Sequence, residues 1–313
     1  MPRGLIFSEK DRLTLAQEVL GDFALVEDGA SLWSDACDQV QSGDLDDRPL
    51  YWRRFALSEN PETIAASRNY QPSYCKDADF QVLVTGFDPF NLDERIDQSN
   101  PSGVVALALD HSRLAWENGT AEIRSLIVPV RFSDFDGGLV ESLIEPLLDQ
   151  IDLLITVSMG REEIDLERFP GLRRSSGKPD NARVFCGGTM DSPLIPLSLS
   201  GPEFLEFSLP VAAILGVDGP FVIRDNKKVT TLEAGDIVVD QLSDLRGHRA
   251  VSGSGGGYLS NEISYRAIRT VADRFPVGHI HTPRMEGMEP EKLQAITEQV
   301  TEIIKATIRT LES

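Results

Sequence analysis

The chain has 313 residues, 34.5 kDa and 41% apolar residues, enough for one large domain or two ordinary ones around a sizeable core, which excludes disordered, collagen-like and mini-protein classes. Thirty basic residues against fifty acidic ones leave a net charge of −20 and a pI near 4.6. That balance opposes docking onto phosphate backbones or anionic lipid, so neither nucleic acid nor membrane is expected as a partner. Cys37, Cys75 and Cys186 show no CxxC or Cys/His spacing, so neither a disulfide framework nor a zinc site is expected and the protein reads as reduced and cytoplasmic. Met1 to Lys10 lack the apolar stretch of a secretory signal, and no later run approaches the roughly 18 apolar residues of a membrane span. A soluble, uncleaved chain is expected.

Residues 1 to about 78 carry short helical patterns (Lys10 to Leu20, Ser31 to Val40, Leu50 to Arg68) between acidic and polar stretches. Their apolar residues, Trp33, Tyr51, Trp52 and Phe55 among them, are too few for a separate core, so this N-terminal helical extension is expected to pack on the body formed by residues 79–313. A collar and a lid over a pocket are both open to it.

From residue 80 strands alternate with helices. Phe80 to Gly86 is β-rich and ends in glycine, and Asn100-Pro-Ser starts a helix with an Asn cap and proline at the first position. A strand follows at Ile123 to Val130. A helix from about Gly138 to Gln150, kinked at Pro146, precedes a buried strand from Asp152. This alternation predicts a single α/β/α sandwich with an open, twisted, mostly parallel sheet. Phe221 to Leu232 reads as a β-hairpin turning at Asp225-Asn226, with Ile237 to Val239 as a further strand. A glycine-rich loop, Gly253 to Gly257, leads into a helix from about Tyr258 to Arg274. Val277 to Thr282 is the last strand, and Pro290 to Leu311 an amphipathic helix.

Ligands of α/β sheets bind beyond the carboxyl ends of the strands, which directs attention to the turn Gly86-Phe-Asp-Pro-Phe90, a loop carrying Glu167, the glycine loop running to Ser260, and His281. The glycine loop lacks the lysine of a phosphate-binding loop and the spacing of a dinucleotide fingerprint. It places Ser260 in a first helical turn, where free amides stabilise developing negative charge, although a serine there also serves as a plain cap. His279 and His281 share one face of their strand, which permits a metal pair with no third ligand in sight, or equally a general base oriented by a carboxylate. Glu167 is the acidic candidate by its loop position. Beside it Glu162, Glu163 and Asp165 make a solvated acidic loop the plainer alternative.

Taken in order, these segments resemble the pyroglutamyl peptidase I (pyrrolidone-carboxylate peptidase) family. Val82-Leu-Val-Thr-Gly-Phe-Asp-Pro-Phe90 followed by Asn100-Pro-Ser is similar to the family's opening strand, Gly-Phe-Glu-Pro-Phe turn and Asn-Pro-Ser helix start. Leu126 to Val130 resembles its second strand, Gly160-Arg-Glu-Glu-Ile-Asp-Leu-Glu-Arg168 the segment bearing the catalytic glutamate, and Asp180 to Arg183 a later Asp-Asn-x-Arg. Glu203 to Pro210 is similar to the segment before the helix that precedes the nucleophile strand. Val251 to Tyr265 is similar to the nucleophile motif, and Gly278-His-Ile-His-Thr-Pro283 to Gly-Phe-Ile-His-Val-Pro.

The resemblance spans about residues 80 to 313. It implies an omega-peptidase that removes an N-terminal pyroglutamyl residue from peptides with a triad and neither metal nor cofactor, the triad falling on Glu167, Ser260 and His281. It also implies Phe87 and Phe90 as walls for the pyrrolidone ring and Arg183 as a pocket arginine. The nucleophile position is serine where the thiol-protease family has cysteine. A hydroxyl must lose its proton as it attacks, and a site shaped for sulfur misplaces oxygen. Asn91-Leu92 replaces the family's Gly-Gly, His279 stands where an aromatic is common, and an insertion covers residues 217–248. Three readings follow: a peptidase of this type, a silent relative binding capped peptides or lactams, and a serine hydrolase of another amide or ester. A homo-oligomer is left open.

Overall fold

In a computed structural model, which describes residues 9–21, 28–55, 57, 60–75, 77–116 and 119–311, the chain starts with four helices. These are α1 (Glu9–Leu20), α2 (Gly29–Gln41), α3 (Arg48–Arg54) and α4 (Pro61–Ala66). Asp28 caps α2 by accepting from Ser31 N at 2.9 Å, and Asn60 caps α4 through Glu62 N at 2.9 Å. The single helix expected over residues 50–68 is therefore two. Pro61 has no N–H to continue a helix and opens α4 instead. The opening segment Met1 to Ser8 lies outside the described residues.

The body follows as β1 (Phe80–Phe87), α5 (Pro101–Leu109), β2 (Arg113–Trp116), β3 (Gly119–Val128), α6 (Phe132–Asp136), α7 (Leu139–Ile144), β4 (Leu153–Met159) and β5 (Ile164–Glu167). It continues with α8 (Val211–Ile214), β6 (Ile223–Asn226), β7 (Lys228–Thr231), β8 (Gly235–Val238), β9 (Ala250–Ser252), α9 (Leu259–Val271), β10 (Val277–Thr282) and α10 (Pro290–Leu311). The expected kink at Pro146 is a change of helix type, with α7 ending at Ile144 and a 3₁₀ turn at Glu145–Leu147.

Seven strands form one sheet in the order β2-β3-β1-β4-β10-β5-β6. Its centre, β3-β1-β4-β10, is parallel, whereas β2 runs antiparallel to β3 and β5 antiparallel to β10. Alternation along β1 sends its side chains to two cores. Val82 and Val84 meet Ile296, Val300 and Ile303 of α10, while Leu83 meets Leu143 of α7 and Ile263 of α9. Helices thus cover both faces, and the chain is an α/β sandwich with a mostly parallel sheet.

Two expectations are corrected. Glu167 lies on no loop: Ile164 to Glu167 is a buried strand that lies between β10 and β6 in the sheet, and Asp165 is buried with it. The hairpin does not turn at Asp225-Asn226. There β6 adds in parallel to β5, and the chain crosses to a second, three-stranded sheet ordered β8-β7-β9. The hairpin joins β7 to β8 and turns at Leu232 to Ala234, with Gly235 at φ +68° opening β8.

Helix α5 is apolar on every side and buried at every position except Ala108. Val105 and Leu109 face the sheet, while Val104, Ala106 and Leu107 pack on Leu32, Trp33 and Val40 of α2. A helix with no polar face needs a cover on its outer side, and α2 supplies it. At the other end of α5, Asp47 precedes α3 and accepts from Ser99 Oγ at 2.5 Å and Asn100 N at 3.0 Å.

Burial, offset in part by the Ser99 hydroxyl, lifts the Asp47 carboxyl from its ordinary 3.8 to about 7. A carboxyl raised in the folded state stabilises the fold fully below its unfolded value, and that contribution is lost as pH rises through the folded one. Between about pH 4 and pH 8 this group is expected to cost the wild type on the order of a few kcal/mol relative to Asp47→Asn, whose amide mimics the protonated acid. Denaturant titrations of both proteins across that range read the difference.

Candidate active site

The carboxyl ends of β1 and β4, the segment just after β3 and the start of α9 line a small pocket of about 30 Å³. Its apolar lining includes Phe87, Phe90, Val130, Met159 and Leu259, and Phe87 is held by stacking on Phe135 with centroids 6.2 Å apart. Asn100, Ser158, Tyr258 and Ser260 contribute its polar side chains. Two of these are committed within the protein. Asn100 donates to Asp88 O at 2.8 Å and accepts from Ser102, and Tyr258 Oη donates to Pro179 O at 3.0 Å.

The turn between the two phenylalanines is tied to the N-terminal helices. Asp88 is buried and accepts from Arg54 Nη1 at 3.0 Å and Arg68 Nη2 at 2.7 Å, both guanidinium groups being buried as well. Arg54 is fixed in turn by Ser67, through its hydroxyl at 2.9 Å and its carbonyl at 3.1 Å. Burial and the neighbouring Arg68 bring the Arg54 guanidinium down to about 10.

Ser260 is the second residue of α9. The amides of Leu259, Ser260 and Asn261 lie ahead of the helix's first backbone bond, Glu262 N to Tyr258 O at 3.2 Å, so this turn presents donors. The glycine loop before it is set by close approach, since a Cβ on Gly253 would stand 2.1 Å from Asn261 Oδ1 and 2.3 Å from Gly171 N. Ser260 Oγ donates to Gly255 O at 3.2 Å, and among the described residues no hydrogen bond joins it to His281.

His281 pairs in register with Ser158, a pocket residue, and lies on β10 beside β5. Its Nδ1 is hydrogen-bonded to Glu167 Oε1, with both side chains buried. The other carboxylate oxygen accepts from Asn226 Nδ2 at 2.8 Å, and Arg161 Nη2 stands 3.5 Å from the first. Asn226 Nδ2 also donates to Ser254 O at 3.0 Å, which joins β6 to the glycine loop. On its other side His281 is packed against Gly160, where a Cβ would stand 2.5 Å from the histidine Cβ.

Of the residues singled out from sequence, Phe87, Phe90 and Ser260 line one pocket, and Glu167 and His281 form a buried pair on neighbouring strands. Arg183 does not line that pocket; its guanidinium pairs with Asp93 at 2.7 Å. His279 is no partner in a metal pair, because both its ring nitrogens are engaged, Nδ1 with Thr156 Oγ1 and Nε2 with Ser158 Oγ at 2.8 Å each. Among the described residues no group of three or more His, Cys, Asp and Glu side chains could hold a metal ion, and no helix is long and apolar enough to cross a membrane. Asn226 and Arg161 were not legible as site residues. The one signal was an asparagine at a strand end, which reads equally well as a turn.

Residues 81–211 match a family model described as the C-terminal domain of PA0049. The uncharacterised protein PA0049 of Pseudomonas aeruginosa is 24% identical over 383 aligned positions, covering 83% of this chain and 69% of that protein. Among solved structures, pyrrolidone carboxyl peptidase from the hyperthermophile Pyrococcus furiosus aligns with TM-score 0.52 and 21% identity, over 74% of this chain and 99% of its own. Pyroglutamyl peptidase I from Bacillus amyloliquefaciens aligns with TM-score 0.47 and 23% identity, over 73% and 92%. The chain shares the fold of the Pyrococcus enzyme.

Asn226→Ala strands one oxygen of the buried Glu167 carboxylate without its amide donor. A stability loss of about 1–3 kcal/mol is expected in denaturant titration at neutral pH.

Proposed function

We propose that the chain hydrolyses the amide bond after an N-terminal pyroglutamyl residue of peptides, with Ser260 as nucleophile, His281 as general base and Glu167 as its orienter. The observation that carries this reading is the buried Glu167–His281 pair, set one strand from an apolar pocket that also holds a serine on the first turn of a helix. The pyrrolidone ring lies between Phe87 and Phe90. Arg54 and Arg68 support the site from the N-terminal segment, because they hold Asp88 in the turn that carries both rings.

Glu167 accepts the Nδ1 proton of His281, which leaves Nε2 free to take a proton. Rotation of Ser260 about χ1 moves its hydroxyl from Gly255 O toward Nε2. As Oγ bonds to the scissile carbonyl carbon its proton passes to Nε2, and the carbonyl oxygen becomes an oxyanion facing the first amides of α9. Collapse of the tetrahedral species breaks the C–N bond, and Nε2 returns its proton to the leaving amine. Water, deprotonated by Nε2, then attacks the acyl-serine ester; the C–Oγ bond breaks and Nε2 returns the proton to Ser260 Oγ, releasing the acid.

The Ser260 to Gly255 hydrogen bond favours one other reading, a silent relative that binds pyroglutamyl peptides without cleaving them. Release of a fluorophore from an L-pyroglutamyl amide separates the two. For the peptidase, turnover is expected from the chain itself, with His281→Ala lowering kcat at least about 10³-fold and Ser260→Ala abolishing the acyl intermediate. Saturable binding of the same amide with no turnover, from the chain and from Ser260→Cys alike, assigns the silent relative.

A further inference from the structure

The pocket contains one polar arrangement that the triad does not use. Thr156 and Ser158 of β4 flank the buried ring of His279, and Ser158 lines the pocket. Thr156 Oγ1 also lies 3.2 Å from Gly278 O, toward which it donates. Burial, reinforced by the neighbouring His281, holds His279 well below its ordinary pKa, so the ring is neutral and carries one proton.

Two tautomers are then open, and a count of hydrogens separates them. With the proton on Nδ1, every hydrogen has an acceptor: Nδ1–H donates to Thr156 Oγ1, the Thr156 hydroxyl to Gly278 O, and the Ser158 hydroxyl to Nε2. With the proton on Nε2 the ring donates to Ser158. The Ser158 hydrogen then has no acceptor among the described residues and faces a largely apolar pocket, at the expense of a buried hydrogen bond. The first arrangement is favoured, and in it both lone pairs of Ser158 Oγ are left unused. No donor from the described residues reaches them.

We propose that Ser158, polarised by His279 and Thr156, is a specificity-determining residue that offers the pocket's ligand a hydrogen-bond acceptor and thereby selects a ring bearing an N–H, a lactam over the lactone of the same shape. The proposal rests on the pyroglutamyl reading of the pocket and adds to it the group that distinguishes nitrogen from oxygen in the ring. Asn100 and Tyr258 are committed elsewhere, so Ser158 is the pocket side chain placed to do this while Ser260 attacks. A lactone would set its own ring-oxygen lone pairs against those of Ser158, an unpaired and repulsive contact in a site removed from water. Thr156 and His279 are positioning residues in this scheme.

The test compares calorimetric binding of 2-pyrrolidone and of its ring-oxygen counterpart γ-butyrolactone, neither of which carries the scissile amide, to the full chain, to Ser158→Ala and to Thr156→Val. The full chain is expected to prefer the lactam at least about tenfold, and Ser158→Ala to bring the two ligands to within about twofold. Thr156→Val leaves the pocket lining intact but takes the acceptor from Nδ1–H, so the lactam preference falls although Ser158 is present, an effect that a merely structural threonine would not have. Equal affinity for the two rings in the full chain, or a lactam preference that survives Ser158→Ala, overturns the proposal. Binding of neither ring removes the pyroglutamyl reading and the ligand class with it. The ¹⁵N shifts of His279 then judge the relay by themselves, a protonated Nδ1 upholding its direction and a protonated Nε2 overturning it.

Discussion

Asp88 stands between the two phenylalanines of the pocket, and burying an acidic side chain is costly unless hydrogen-bond donors or cations meet it. Arg54, the last residue of α3, and Arg68, in the turn after α4, do so, and each is itself held by its own neighbours. Much of the site follows from that contact. The backbone carbonyl of Asp88 receives the side chain of Asn100, the cap of α5; the backbone amide of the same Asn100 is received by Asp47 of the N-terminal segment; and α5, apolar all round, lies between the sheet and α2. In a chain with a net charge of −20, buried acids are met individually by arginines and backbone amides.

A similar economy sets the reacting groups. Because β5 runs antiparallel to β10, the end of one strand brings Glu167 beside His281 on the other, while β4 brings Ser158 alongside from the opposite side. His281, Glu167 and the pocket residue Ser158 thus stand on three adjacent strands. Ser260 comes from the following layer, at the start of α9. For the proposed hydrolysis such an arrangement is rigid at the His281–Glu167 pair and adjustable at Ser260, whose hydroxyl can change partner by a rotation about one bond.

The central strands, α5 and α10 were legible because their patterns are local: β-rich runs, an Asn-Pro helix start, and apolar residues at helical spacing. Ser260 and His281 were legible by position, at a helix start after glycines and near the end of a strand. Glu167 was read as a loop residue because Glu162, Glu163 and Asp165 beside it are polar, and polarity signals exposure only when no partner is waiting. Asp165 has Arg161 at 3.0 Å and Glu163 the backbone of Val222 at 3.0 Å, partners that no local pattern reveals. The hairpin was misplaced for the same reason. Asp225-Asn226 looks like a turn, yet Asp225 is held by Arg168 at 2.9 Å and Asn226 by Glu167, both from β5 or its end. Hydroxyl-histidine contacts such as Ser158–His279 are invisible until two strands are paired.

The insertion of the Arg54 and Arg68 side chains beneath the pocket turn has a thermodynamic side. Two processes that share one contact are linked, so whatever free energy a ligand gains by ordering Phe87 and Phe90 is available, in the same amount, to the association of α3 and the segment after α4 with the sheet. Occupancy and anchorage of the N-terminal segment are then two readings of a single equilibrium. A surface change far out on those helices that loosens their hold would be felt as weaker ligand affinity, with no residue near the pocket altered.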